Sequence, residues 1–335
     1  LRSVGRVRAE MFLLVLERTT FTVAGCAAIA LGSGPLVPLA LYGVTNSITA
    51  ILATIAVRRN ARGRVERPSP PLLDREGRHT ALAASLVIIA PRVSIVVLLV
   101  RSSQVSVGSF AVAQKPTTDA LALLAVAMLT PMLPLLRARV VAGRRAEAID
   151  AGFRLTTTVL LVCAPVLAWL AVDARGAVRL LYGDESRPGA TTALVVLCAA
   201  TVATILRSFG ELLLLAEERA SSYVRALGAG AVTTLVVAVA LVGEHGAAGA
   251  AWGSFAGEAV ALVLVLRASR GLRAGMVARG LALPAVVFLG TAVLVVGAHQ
   301  VSEVTALGVA ALASCAVLVP ARRALRAVDR RRADS

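Results

Sequence analysis

The chemistry open to this sequence rests on a few charged side chains set inside long apolar runs: Arg18, Arg92, Arg207, Asp119 and Glu258. A charge at the centre of a lipid-spanning helix costs about 2.5–3.5 kcal/mol, so residues kept there usually bind, relay or pair. Arg92 follows Pro91 about halfway along its run, too deep to snorkel comfortably, and should face an interior cavity or an internal partner. A functional role and a structural ion pair both fit it. Arg18 sits beside Glu17 nearer one end of its run, where snorkelling to the interface is the alternative. Arg207 and Glu211 are spaced i,i+4, as are Lys115 and Asp119, and that spacing suits a local ion pair on one helix face. Glu258 has no partner close in sequence. It is either a proton- or ion-linked carboxylate or the counter-ion of one of the arginines.

Other chemistries find little support. Cys26, Cys163, Cys198 and Cys315 lie in apolar runs without CxxC spacing, as buried small hydrophobes do. His79, His245 and His299 fall at or beyond the ends of apolar runs, far apart, so no metal site and no cofactor are expected. GxSxG, HExxH, P-loop and DxD motifs are absent from the sequence, which argues against an enzyme.

The elements that must position these residues follow from composition. The 335 residues are 58% hydrophobic and 16% charged, with a mean hydropathy of +0.81. A soluble chain is about 45–50% apolar and about 25% charged, so a polytopic all-α membrane protein is expected. The net charge of +16 with only 4% aromatic residues, none interleaved with the basic runs, makes nucleic acid a poor partner. A helix needs about 20 apolar residues to cross a bilayer core of about 30 Å. Ten runs approach that length: 11–31, 36–57, 80–100, 117–136, 153–172, 190–212, 223–243, 250–266, 281–299 and 304–320. With the N-terminus inside, 27 of the 35 Lys and Arg fall in cytoplasmic segments, which satisfies the positive-inside rule with both termini cytoplasmic. The first run is long enough to span and lacks a cleavage site, so no cleavable signal peptide is expected.

Breakers inside the runs mark helices that face protein or a cavity: Pro91, Pro131, Pro134, Pro165 and Pro284. Gly253 to Gly257 is a GxxxG, ordinarily a sign of close helix packing.

Four short motifs resemble the multidrug/oligosaccharidyl-lipid/polysaccharide (MOP) exporter superfamily, in its polysaccharide, O-antigen type, flippase branch. Val107-Gly108-Ser109-Phe110-Ala111-Val112-Ala113-Gln114-Lys115 is similar to the family's vGxYxxAxk, and Thr130-Pro131-Met132-Leu133-Pro134-Leu135-Leu136 to lfPxls. Leu180-Leu181-Tyr182-Gly183 resembles llfG, and Gly246-Ala247-Ala248-Gly249-Ala250-Ala251-Trp252 with Glu258 resembles GxxGAAxaxxxxE. The resemblance covers about residues 80–270. It implies MOP/MATE-like helical lobes: 1–57 as the remnant of a first lobe, 58–79 a basic cytoplasmic linker, and 80–267 a second six-helix lobe. Residues 268–320 would be an extra helix pair and 321–335 a basic cytoplasmic tail. In that register the family's first four helices have no counterpart, and either the chain continues upstream of Leu1 or it is a degenerate copy.

The implied function is a flippase in the cytoplasmic membrane that moves a polyprenyl-pyrophosphate-linked oligosaccharide or polysaccharide precursor. Its partners would be that lipid-linked saccharide, membrane lipids and polysaccharide biosynthesis enzymes. Guanidinium groups suit a pyrophosphate because they donate bidentately and stay charged. Arg92 leads as the head-group contact, with Arg18 and Arg207 second, and Glu258 and Asp119 as ion-coupling residues. The alternatives are a drug or cation antiporter of the same superfamily and a non-transporting membrane subunit of a polysaccharide assembly complex.

Overall fold

The computed structural model describes residues 75–183, 189–269 and 274–299, all of which belong to the compact unit Leu73–Ser335. The runs 11–31, 36–57 and 304–320, the tail 321–335, most of the linker 58–79 and Arg18 lie outside the described residues. Every regular element described is helical, and no strand occurs among the described residues.

The first helix, α1 (Arg75–Arg101), carries Pro91 within an unbroken helix. A two-residue link turns it into a long irregular path. Ser103 caps α2 (Gln104–Gln114), its side chain accepting from the backbone N–H of Ser106 at 3.3 Å. Pro116 then lacks the N–H that an α-turn needs, and the chain widens into a π-turn over Lys115–Leu121. Threonine hydroxyls take up the carbonyls this leaves. Thr117 Oγ1 donates to Ala113 O at 2.9 Å and Thr118 Oγ1 to Gln114 O at 3.1 Å. The path resumes as α3 (Ala122–Leu129), tightens to a 3₁₀ turn at Thr130–Met132 around Pro131, and ends as α4 (Leu133–Val141). The helix is interrupted at Pro131, one of the breakers in the run, but this helical path begins well before residue 117, where the apolar run starts.

Beyond Gly143, whose positive φ of 75° turns the chain, come α5 (Arg145–Val172) and the short α6 (Ala174–Tyr182), capped by Asp173 through the Gly176 N–H at 3.2 Å. Then follow α7 (Ala190–Ala216), α8 (Ala220–Ala268) and α9 (Ala274–His299). Secondary structure runs unbroken through α8, but Gly246 has φ 51° and ψ −122°, and the chain reverses there. Residues 220–245 and 247–268 are two antiparallel limbs. Their contact is made by small residues at intervals of four, Gly249, Gly253, Gly257 and Ala261 facing Val242, Ala238, Thr234 and Gly230. A Cβ added at Gly230 would stand 2.8 Å from the Gly257 carbonyl oxygen, so the backbones touch directly.

Packing places α7 at the centre, against α2, α5 and both limbs of α8, while α1 lies along α8 and α9 along α5. Among the described residues three helices, α5, α7 and α8, are long and apolar enough to cross a membrane. The most apolar stretch of α7 is 78% buried and that of α8 only 33%, so α8 shows much of its apolar surface outwards. Exposed Val232, Leu235, Val236 and Val263, with Leu283, Val286, Leu289 and Val293 on α9, form the sort of apolar exterior that lipid accepts.

Ion pairs gather the basic links at one end of the bundle. Arg137 pairs with Glu218, Arg145 donates to Glu217 at 2.7 Å, and Arg219 reaches the Ala268 carbonyl oxygen at 2.7 Å. At the other end Gly246 lies against Ser106 and Gly189 against Ala247.

Candidate functional site

Arg207 stands on α7 about 14 Å from its C-terminal end at 1.5 Å per residue. It is 6% exposed, enclosed by the two limbs of α8 and its own helix. Its Nε donates to Glu258 Oε2 at 2.8 Å. One terminal nitrogen, Nη1, lies 3.3 Å from the Tyr223 hydroxyl and 3.4 Å from Glu211 Oε2. Both carboxylate side chains keep 23% of their surface, against 7% for the guanidinium. The cluster therefore joins three helical segments: α7 through Arg207 and Glu211, the first limb of α8 through Tyr223, and the second limb through Glu258.

The sequence left the role of Glu258 open, and the geometry makes it the counter-ion of Arg207. The hairpin is the reason, because its tight glycine contact brings residue 258 back to the level of residue 207. The i,i+4 pair with Glu211 is present as the sequence suggested, but at 3.4 Å it is the longer contact, and the non-local partner at 2.8 Å is the shorter. Tyr223 is a participant that the sequence did not flag. A lone tyrosine near a helix start carries no local signal, and only its 1% exposure beside the ions reveals it.

Arg92 contrasts with Arg207. It lies about 14 Å along α1 from Arg101, on the exposed stripe that also carries Ile89, Val96 and Leu99. No described residue offers it an ion pair or hydrogen bond. On the opposite face of the same turn, Ser94 is fully buried, donating to Ala250 O at 3.2 Å and sharing a 2.8 Å hydrogen bond with Ser254 Oγ. Those bonds fix the rotation of α1 against the second limb of α8, and the rotation in turn directs Arg92 away from the bundle.

Asp119 falls in the π-turn and pairs with Lys115 at 3.7 Å, the aspartate side chain partly exposed at 34% and the lysine exposed at 68%. That pair sits apart from the Arg207 cluster, near α6. There the Tyr182 phenol is pushed up from its ordinary value, by partial burial first and by the Asp119 carboxylate second. Cys163 and Cys198 are buried free thiols, as the sequence implied. Among the described residues no group of three or more His, Cys, Asp or Glu is placed to hold a metal ion.

Comparison with protein-family models, with curated proteins and with solved structures finds no significant match for this chain.

Proposed function

We propose that the chain is a membrane transporter of the flippase type, which carries a polyprenyl-pyrophosphate-linked saccharide across the cytoplasmic membrane. The observation that carries this reading is Arg92, an exposed guanidinium near the middle of an apolar helix with no counter-ion among the described residues. Lipid tails do not accept such a group without a cost of about 2.5–3.5 kcal/mol. A pyrophosphate offers it paired oxygens for bidentate hydrogen bonds and cancels its charge. The ordered motifs between residues 107 and 258 support the same reading.

Arg207 serves differently in this scheme. Its donors already face Glu258, Glu211 and Tyr223, so it holds helices together and leaves head-group contact to Arg92, with Arg18 as a second contact. A drug or cation antiporter would need a carboxylate at depth without a cation beside it, and Glu258 has Arg207 at 2.8 Å.

The test is export of the lipid-linked saccharide by cells that carry Arg92→Ala. Export should fall at least tenfold while the amount of protein in the membrane stays constant, and Arg92→Lys should recover part of it. Undiminished export by Arg92→Ala would overturn the assignment, and no export by the wild-type chain would favour a non-transporting subunit.

A further inference from the structure

The Arg207 cluster has a charge imbalance. It contains one guanidinium, two carboxylates and a phenol, and no other charged group faces Glu211 within it. With both carboxylates ionised, one negative charge would be left over inside the helix bundle, where water is scarce and the next cations, such as Arg219, are committed to the bundle end. Protein interiors resolve this kind of excess by taking up a cation.

We propose that Arg207, Glu211, Glu258 and Tyr223 form a proton-binding site in which one proton, held on Glu211, makes the cluster neutral. The distances assign the proton. Glu258 takes the short Nε bond at 2.8 Å and remains the carboxylate that balances Arg207. Glu211 has the longer Nη1 contact at 3.4 Å and a hydrogen bond with the Tyr223 hydroxyl, which itself contacts Nη1. A neutral carboxyl needs no full ion pair, so this weaker contact suits it. Access exists as well, because the Glu211 side chain keeps 23% of its surface while the guanidinium behind it is closed off.

The site spans α7 and both limbs of α8, so the proton controls a contact between elements. When it leaves, a net negative charge appears between α7 and the hairpin, and the two are held less tightly. Return of the proton restores a neutral joint. This proton site needs only the packing of α7 against the two limbs of α8 and no particular substrate.

Infrared difference spectroscopy on the full chain reconstituted in phosphatidylcholine vesicles tests it without any transport assay. At neutral pH the wild type should show the C=O stretch of a protonated carboxyl group, and the band should disappear on alkaline titration. Glu211→Gln should lack the band. Glu258→Gln should also lack it, because Glu211 then becomes the sole carboxylate opposite Arg207 and ionises. Tyr223→Phe should keep it. Absence of the band in the wild type, or its persistence in Glu211→Gln, would overturn the proposal. So would a rise in melting temperature with sodium chloride that choline chloride does not reproduce, since a bound metal cation would then supply the balancing charge.

Discussion

Arg92 and Arg207 sit at similar distances from a helix end, yet one has no described partner and the other has three. The difference sets what each substitution should do. Removing one partner of a buried ion pair leaves an uncompensated charge and typically costs about 3–5 kcal/mol. Glu258→Gln should come in below that range, because Glu211 remains beside the guanidinium, but it should still lower the melting temperature in detergent measurably. Asp119→Asn removes half of an exposed pair, worth about 0–1 kcal/mol, and should leave the melting temperature almost unchanged. Equal effects from the two variants would show that burial of Arg207 does not govern its energetics. Arg92→Ala should be silent in the same thermal assay and visible only in export, since no described group loses a partner.

At the scale of elements, the α8 hairpin is decided by small residues. Gly257 faces Gly230 and Thr234 so closely that any larger side chain must push the limbs apart. Gly257→Leu should therefore destabilise the protein by about 1–3 kcal/mol or more. It should also weaken the Arg207 to Glu258 contact, because residue 258 follows directly. Gly243 has open space around it, and Gly243→Ala should be neutral or stabilise by up to about 1 kcal/mol through helix propensity. Thermal unfolding of the two variants side by side checks the packing, and a neutral Gly257→Leu would refute it. Other elements were less legible. The apolar run from residue 117 missed the start of that helical path at Gln104, because Ser103, Ser106, Ser109 and Gln114 dilute the hydropathy there. Burial of Phe110, Ala113 and Gln114 against α7 brings that stretch into the bundle. The segment after Asp173 falls between two of the apolar runs, yet Ala174, Ala177 and Val178 share a buried face and make it α6.

For the molecule as a whole, the segregation of charge sets the expected orientation. In the orientation proposed for a membrane protein, the positive-inside rule would put the end that carries Arg137, Arg144, Arg145 and Arg219 in the cytoplasm and the turn at Gly246 on the other side. Reporter fusions at residue 68 and at the C-terminus should both report cytoplasm, and a fusion after Gly183 should report the outside. An outside signal at residue 68 would refute this arrangement. The helical, apolar character, the limbs of the hairpin and the local pairs are legible in the order of residues, because hydropathy and i,i+4 spacing are properties of neighbours along the chain. The pairing of Glu258 with Arg207, the place of Tyr223 beside them and the exposure of Arg92 come from the three-dimensional packing. A counter-ion is chosen by distance in space and not by separation along the chain. Residues 207 and 258 are brought to 2.8 Å only because the glycine-lined limbs of α8 fold back against each other and against α7.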